Sequence, residues 1–166
     1  VRKNRNSDSI YIDDDTVEKL SEQLYQDTSV GFDHLVIATG RLAKAYLQRD
    51  EMAGPQALIT AASALEIYLD HDGRDRISFF SFSARVPFAL DALKEEIALA
   101  RTKFPSNKFL LAALMEEVGE LFEADINGEG EDRIRKEAIQ VACVAVRIYE
   151  ETDATFDDIT EAQAKL

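Results

Sequence analysis

This chain of 166 residues has no tryptophan, one cysteine, two histidines, three prolines and seven glycines. A single cysteine cannot close an internal disulfide, so a reducing cytosol is the expected compartment. Few Pro and Gly means few helix breakers; Ala, Leu, Glu, Asp and Ile dominate, a helix-forming composition. No apolar run approaches a membrane span and no signal peptide is visible, so a cytoplasmic protein is expected. Cations are also scarce, with 19 Lys and Arg against 32 Asp and Glu and a net charge of −13. That balance excludes sequence-independent nucleic-acid binding, which needs a cationic face to release counterions. It also argues against an anionic membrane surface. Excess acid is compatible with a carboxylate metal site, although a solvated surface explains most acids taken singly.

The apolar spacing predicts an all-α helical bundle. Residues 1–12 read as a tail or a lead-in strand. Asp15 and Glu18 resemble a capping box for a helix over 16–26. Asp33 can cap a helix over 34–49, with Leu35, Ala38, Leu42, Ala45 and Tyr46 on its apolar side. Gly54-Pro55 opens a helix over 56–70, with Gly73 beyond its end. Residues 74–86 read as an extended connector. Pro87 restarts a helix to about 101, with Phe88, Leu90, Leu93, Ile97 and Leu99 as its apolar content. Further helices are expected over 107–125 and 132–150, the second capped by Asp132, and from Thr155 to the end. Asn127-Gly128-Glu129-Gly130 is the most turn-like segment. The expected division is an N-terminal helical region, 1–86, and a second unit, 87–166.

The N-terminal half offers little chemistry. His71 reads as a loop histidine after a helix rather than a metal ligand. Asp13-Asp14-Asp15 reads as a cap with solvated charge, and Cys143, within Val141, Ala142, Val144 and Ala145, reads as a small buried hydrophobe.

The stretch Leu114–Glu123 is different. Positions three and four apart share a helix face, so one stripe reads Ala113, Glu117, Glu120, Ala124. Leu110, Leu114, Val118 and Leu121 form the adjoining apolar stripe. On the next helix the corresponding stripe is Arg133, Glu137, Gln140, Val144 and Arg147, beside apolar Ile134, Ala138, Val141, Ala145 and Ile148. Each helix thus carries an oxygen-ligand pair at i, i+3 on the border of a core, and a hairpin through Asn127–Gly130 sets the two antiparallel. Facing carboxylates cannot all stay ionised without a cation between them. Mg²⁺, which prefers oxygen ligands and keeps waters that meet phosphates, suits such a site.

Glu116-Glu117-x-x-Glu120, Leu121 and Ala124, followed after a spacer by Glu137, resemble the motif of the MazG-like all-α nucleoside triphosphate pyrophosphatases. These are kin to dimeric dUTPases and phosphoribosyl-ATP pyrophosphatases. The resemblance covers roughly residues 88–153, including Phe104-Pro105 before the motif helix. It implies hydrolysis of a nucleoside triphosphate between its α- and β-phosphates, giving a monophosphate and pyrophosphate. Glu117, Glu120 and Glu137 become the catalytic carboxylates, and with Glu116 and Gln140 they form the metal set for Mg²⁺ or Mn²⁺. Gln140 departs from the family's Asp and supplies no charge. Arg133, Arg147 and Lys108 become phosphate partners, with Lys103 and Lys136 behind them, and Phe109, Phe122 and Tyr149 are candidates to stack on a base. A homodimer or dimer of dimers is implied, unless residues 1–86 stand in for the partner. The alternative is a degenerate helical module for nucleotide sensing or protein assembly.

Overall fold

From Ile134 to Ile148 one helix is apolar almost all the way round: Ala138, Ile139, Val141, Ala142, Cys143, Ala145 and Val146 are all buried. A helix of that kind must lie inside a bundle. It is α6 (Glu131–Ala164) of a computed structural model that describes residues 9–26, 31–71 and 82–164. The other elements are α1 (Asp14–Gln26), α2 (Phe32–Leu47), α3 (Ala53–Asp70), α4 (Phe82–Lys103) and α5 (Leu110–Ile126). Every regular element among the described residues is a helix, so the all-α bundle stands. No described helix is long and apolar enough to cross a membrane.

α6 packs most extensively on α3, then on α5 and α4. α3 buries Ala53, Ala57, Ala61, Ala62 and Ala64. Such small side chains let two helix axes approach closely. α2 packs on α3 and touches α5 through Phe32 and Phe122, and α1 packs against α3 and α4. His71, at the end of α3, meets Glu131 at the start of α6 with Nδ1 2.5 Å from Oε2. α5 fixes itself to the core through buried Leu110, Leu114 and Leu121, with Val118 partly buried on the same cluster. Cys143 is buried, and burial pushes its thiol up to about 12, so it behaves as a small hydrophobe.

The α5–α6 turn is set by glycine. Gly128 has φ 64° and Gly130 φ 98°. The Glu129 N–H donates to Ala124 O at 3.0 Å and the Gly128 N–H to Asp125 O at 3.1 Å. Those two bonds close α5 in a Schellman motif, whose left-handed position only glycine occupies without strain.

A buried charge cluster joins the N-terminal segment to α4 and α6. Arg101 pairs with Glu150, their side chains 4% and 2% exposed. Arg101 Nη1 also donates to Tyr11 O at 3.0 Å. Glu150 Oε1 accepts from the Asp13 N–H at 2.9 Å and from Thr16 Oγ1 at 2.7 Å. Arg147 donates to Glu151 Oε2 and to Ser106 O, both at 3.0 Å.

Several sequence expectations are corrected. α6 runs through residues 150–155 without a break, because no Gly or Pro interrupts 131–164 and a capping-competent Thr155 does not by itself stop a helix. α4 begins at Phe82, so Pro87 lies inside it and residues 82–86 are helical rather than extended. Its ring removes one hydrogen bond, to the Ser83 carbonyl, close enough to the helix start to be tolerated. α4 therefore crosses the expected 86/87 division unbroken, while residues 74–81 and Gly73 lie outside the described residues. Phe88 and Leu99 are exposed, and the buried stripe is Val86, Ala89, Leu90, Leu93 and Ile97. α2 starts after Gly31 rather than a capping Asp33, and α5 starts after Phe109, whose φ is 62°. Asp132 lies within the first turn of α6 and Asp15 within that of α1, each as acid complementing the helix N-terminus.

The two kinds of glycine give opposite expectations. Gly128→Ala should destabilise the fold by about 1 kcal/mol through its left-handed backbone. Exposed Gly40 is in ordinary helix with open space around it, so Gly40→Ala should stabilise by about 0.5–1 kcal/mol. Denaturant midpoints of the two variants check both signs.

Candidate metal centre

α5 and α6 bring three carboxylates together. One oxygen from each of Glu117, Glu120 and Glu137 lies within 4.8 Å of the other two. Glu117 and Glu120 are one turn apart on α5 and beside its buried leucines, so their position is fixed by the core. Glu137 is set by the buried stripe of α6, and its side chain is 0% exposed. The glycine turn at 128–130 gives the antiparallel pairing that makes the stripes meet.

One cation of the chain already reaches in. Arg133 Nη1 is 2.8 Å from Glu137 Oε1, its Nη2 is 3.7 Å from Glu120 Oε2, and its Nε is 3.5 Å from Glu129 Oε2. These are charge contacts more than hydrogen bonds. Glu137 Oε1 and Oε2 and Glu117 Oε2 are buried without a hydrogen-bond partner. An unsatisfied buried carboxylate is costly and calls for a counter-charge.

The proton affinities show the same crowding. Burial, then repulsion from Glu120, Glu137, Glu116 and Glu96, pushes Glu117 up to about 7. Burial also raises Glu137, with Glu120 adding to the effect and Arg133 and Lys136 opposing it. A cation that binds three oxygens in this space would lower both. Mg²⁺–oxygen distances near 2.1 Å bring ligand oxygens to about 3–4 Å from one another, within a small side-chain adjustment of the observed spread. The donor set and its unpartnered oxygens therefore fit an oxygen-seeking divalent cation.

The remaining sequence candidates divide sharply. Glu116 is exposed beside the triad, and its charge is felt at Glu117. Gln140 is half-buried one turn beyond Glu137. Lys108, Lys103 and Lys136 are exposed. Arg147 is corrected as a phosphate partner: its side chain is 4% exposed and its guanidinium is bound to Glu151 and Ser106. Phe122 stacks edge-on with Phe32, centroids 5.2 Å apart, and the Tyr149 hydroxyl meets Lys19 Nζ at 3.1 Å. Both aromatics thus serve packing, whereas Phe109 is 80% exposed. Sequence reading missed Glu96 of α4, whose charge reaches Glu117. Its signal was present: an acid between Leu93 and Ile97 on the border of a buried stripe.

No family model, curated protein or solved structure matches this chain. The function therefore has to be argued from the site itself.

A carboxyl whose pKa is raised by folding favours the folded state only while protonated. Its contribution is full below the unfolded value of 4.5 and is lost as pH rises through about 7. The metal-free protein should accordingly lose thermal stability across that window. Glu117→Gln should flatten the loss and raise the melting temperature by a few degrees at pH 8. Saturating divalent cation should stabilise the native protein and not the variant. Thermal melts from pH 5 to 8, with and without Mg²⁺, read all three effects.

Proposed function

We propose that this chain is a Mg²⁺-dependent nucleoside triphosphate pyrophosphohydrolase, releasing pyrophosphate and a nucleoside monophosphate in nucleotide-pool housekeeping. The observation that carries the reading is the convergence of Glu117, Glu120 and Glu137 from two helices onto one volume. Their order and spacing resemble the motif of the MazG-like enzymes, with Gln140 where that motif has Asp. Glu117, Glu120 and Glu137 would hold the ion, with Gln140 offering a neutral oxygen and Glu116 an outer one. When bound, Mg²⁺ supplies positive charge for the phosphate oxygens and lowers the pKa of an attacking water.

The chain's own residues do the rest. A Glu117 carboxylate oxygen not taken by the ion would accept the proton of the attacking water, the ion having lowered the proton affinity that burial and neighbouring acids raise in its absence. Arg133, 38% exposed at the edge of the triad, is placed to turn from the carboxylates to a phosphate oxygen. Lys108 and Lys103 are exposed cations on the segment that leads into α5. Such groups would neutralise the charge that develops on the leaving pyrophosphate. A homodimer or dimer of dimers is the family habit. Here α3 of the same chain covers α6, which supports a site built within one chain.

A second reading has one observation in its favour. Arg133 already gives Glu137 a counter-charge at 2.8 Å, as a purely structural ion pair would. Under it the chain is a degenerate module for nucleotide sensing or assembly, with Gln140 marking lost chemistry.

Pyrophosphate release from a panel of ribo- and deoxyribonucleoside triphosphates with Mg²⁺ decides between them. The enzyme reading expects turnover that falls by at least about 10²-fold in Glu120→Gln. A folded wild type that turns over none of the panel sinks it. Gln140→Asp should tighten Mg²⁺ roughly tenfold by restoring a charged ligand; an unchanged titration places Gln140 outside the coordination sphere.

A further inference from the structure

A second feature lies around α6 from the triad. Tyr68 of α3, Ala92, Glu96 and Leu99 of α4, and Lys136 and Ile139 of α6 line a cavity of about 380 Å³, with Glu95, Asp132 and Arg135 at its rim. None of Glu117, Glu120 and Glu137 lines it. On a helix with 100° per residue, Asp132, Lys136 and Ile139 form one stripe, and Gln140 falls between Lys136 and the Glu137 stripe. The cavity and the triad are therefore neighbouring faces of α6. Electrostatics agree: Glu96, in the cavity wall, raises Glu117, and Lys136, in the same wall, opposes the rise at Glu137.

The lining has a definite chemistry. Tyr68, Ala92, Leu99 and Ile139 provide flat and apolar surface for a ring. Arg135 is held over the Tyr68 ring, 5.9 Å from its centroid, and by Asp132 Oδ1 at 2.9 Å. Glu95 and Glu96 make no hydrogen bond or ion pair among the described residues, so their oxygens are available acceptors. Of the cavity's three carboxylates Asp132 is bound to Arg135, and the oxygens of Glu95 and Glu96 suit N–H and O–H donors. The volume, at the small end for ligand sites, matches a nucleoside rather than a larger cofactor.

We propose that the cavity between α3, α4 and α6 seats the nucleoside of the substrate, base against Tyr68 and Ile139, with Glu96 accepting a hydrogen bond from an exocyclic amino group. This rests on the nucleotide reading of the triad. It assigns specificity, since a carboxylate favours a base edge that presents an amino group over one that presents a carbonyl. Lys136, between cavity and triad, marks where the sugar gives way to the phosphates.

The test uses the full chain in EDTA, so that metal chemistry plays no part. Calorimetric or NMR titrations compare CMP with UMP and AMP with IMP, pairs that differ by amino against carbonyl. The amino member of each pair should bind about tenfold tighter. Glu96→Gln, whose amide can also donate, should erase that preference. Ala92→Phe, which fills the cavity from a half-buried position, should abolish monophosphate binding and leave Mg²⁺ binding at the triad unchanged. Equal affinities within each pair, binding unaffected by Ala92→Phe in a protein that circular dichroism shows folded, or no binding at millimolar monophosphate overturns the proposal. The two readings fail separately. Monophosphate binding lost in Ala92→Phe without any turnover supports the cavity and removes the enzyme; turnover with a KM unmoved by Ala92→Phe keeps the enzyme and overturns the cavity.

Discussion

Everything at the centre of this molecule follows from placing one carboxylate, Glu137, fully inside it. Its side chain is 0% exposed, on the helix that the rest of the bundle surrounds. A charge there needs an opposite charge, a proton or an ion, and no rearrangement of the surface can supply one. The fold answers in part with Arg133 from one turn earlier. Two further acids, Glu117 and Glu120, are delivered to the same place by a helix whose leucines leave it no other register. The core thus forces acids together that would separate if free to do so.

The same helix carries a second buried charge cluster, and the contrast between the two separates structure from function. Around Arg101, Arg147, Glu150 and Glu151, cations and anions alternate, and backbone groups of Tyr11, Asp13 and Ser106 complete the hydrogen bonds. Apart from Arg101 Nε, which has only the Glu151 carboxylate at 4.0 Å, such a network is satisfied within the chain and fixes the N-terminal segment and the α4–α5 connection to the bundle. In the triad Arg133 reaches Glu137 and Glu120 but not Glu117, and three buried oxygens have no hydrogen bond. Two arginines balance two glutamates at one end of the helix, whereas the acids at the other are short of positive charge. Burial and that shortage together raise the proton affinity of Glu117 and Glu137.

The helical period alone makes the triad legible in the sequence. Glu117, Glu120 and Glu137 each border a run of residues with one-face spacing, and the Gly128 turn between them is written in the chain. What stayed hidden depended on contacts far apart in sequence. Arg101 and Glu150 are 49 residues apart and look like ordinary surface charges until α4 is docked on α6. Glu96 was obscured for the same reason. The apolar residues of α4 include Phe88 and Leu99, which point away from the core, while the true stripe passes through inconspicuous Ala89. The unbroken run of α6 past residue 150 was hidden too, since a capping residue is visible in sequence and the packing that overrides it is not.

Arg133 joins the stability argument to the functional one. Its guanidinium lies within 2.8–3.7 Å of three carboxylates, yet the side chain is 38% exposed. Near a protein surface two unit charges at 4 Å attract by about 4 kcal/mol before desolvation and screening are counted. A divalent ion among the triad oxygens would offer twice the charge at about 2.1 Å, closer than the guanidinium nitrogens, and so would compete with the arginine for them. A guanidinium so released would stay tethered to α6 with open solvent on one side, where a phosphate oxygen would be its natural new partner. In the metal-centre reading proposed above, one side chain thus keeps the buried acids tolerable in the ion's absence and would turn to an anionic substrate in its presence.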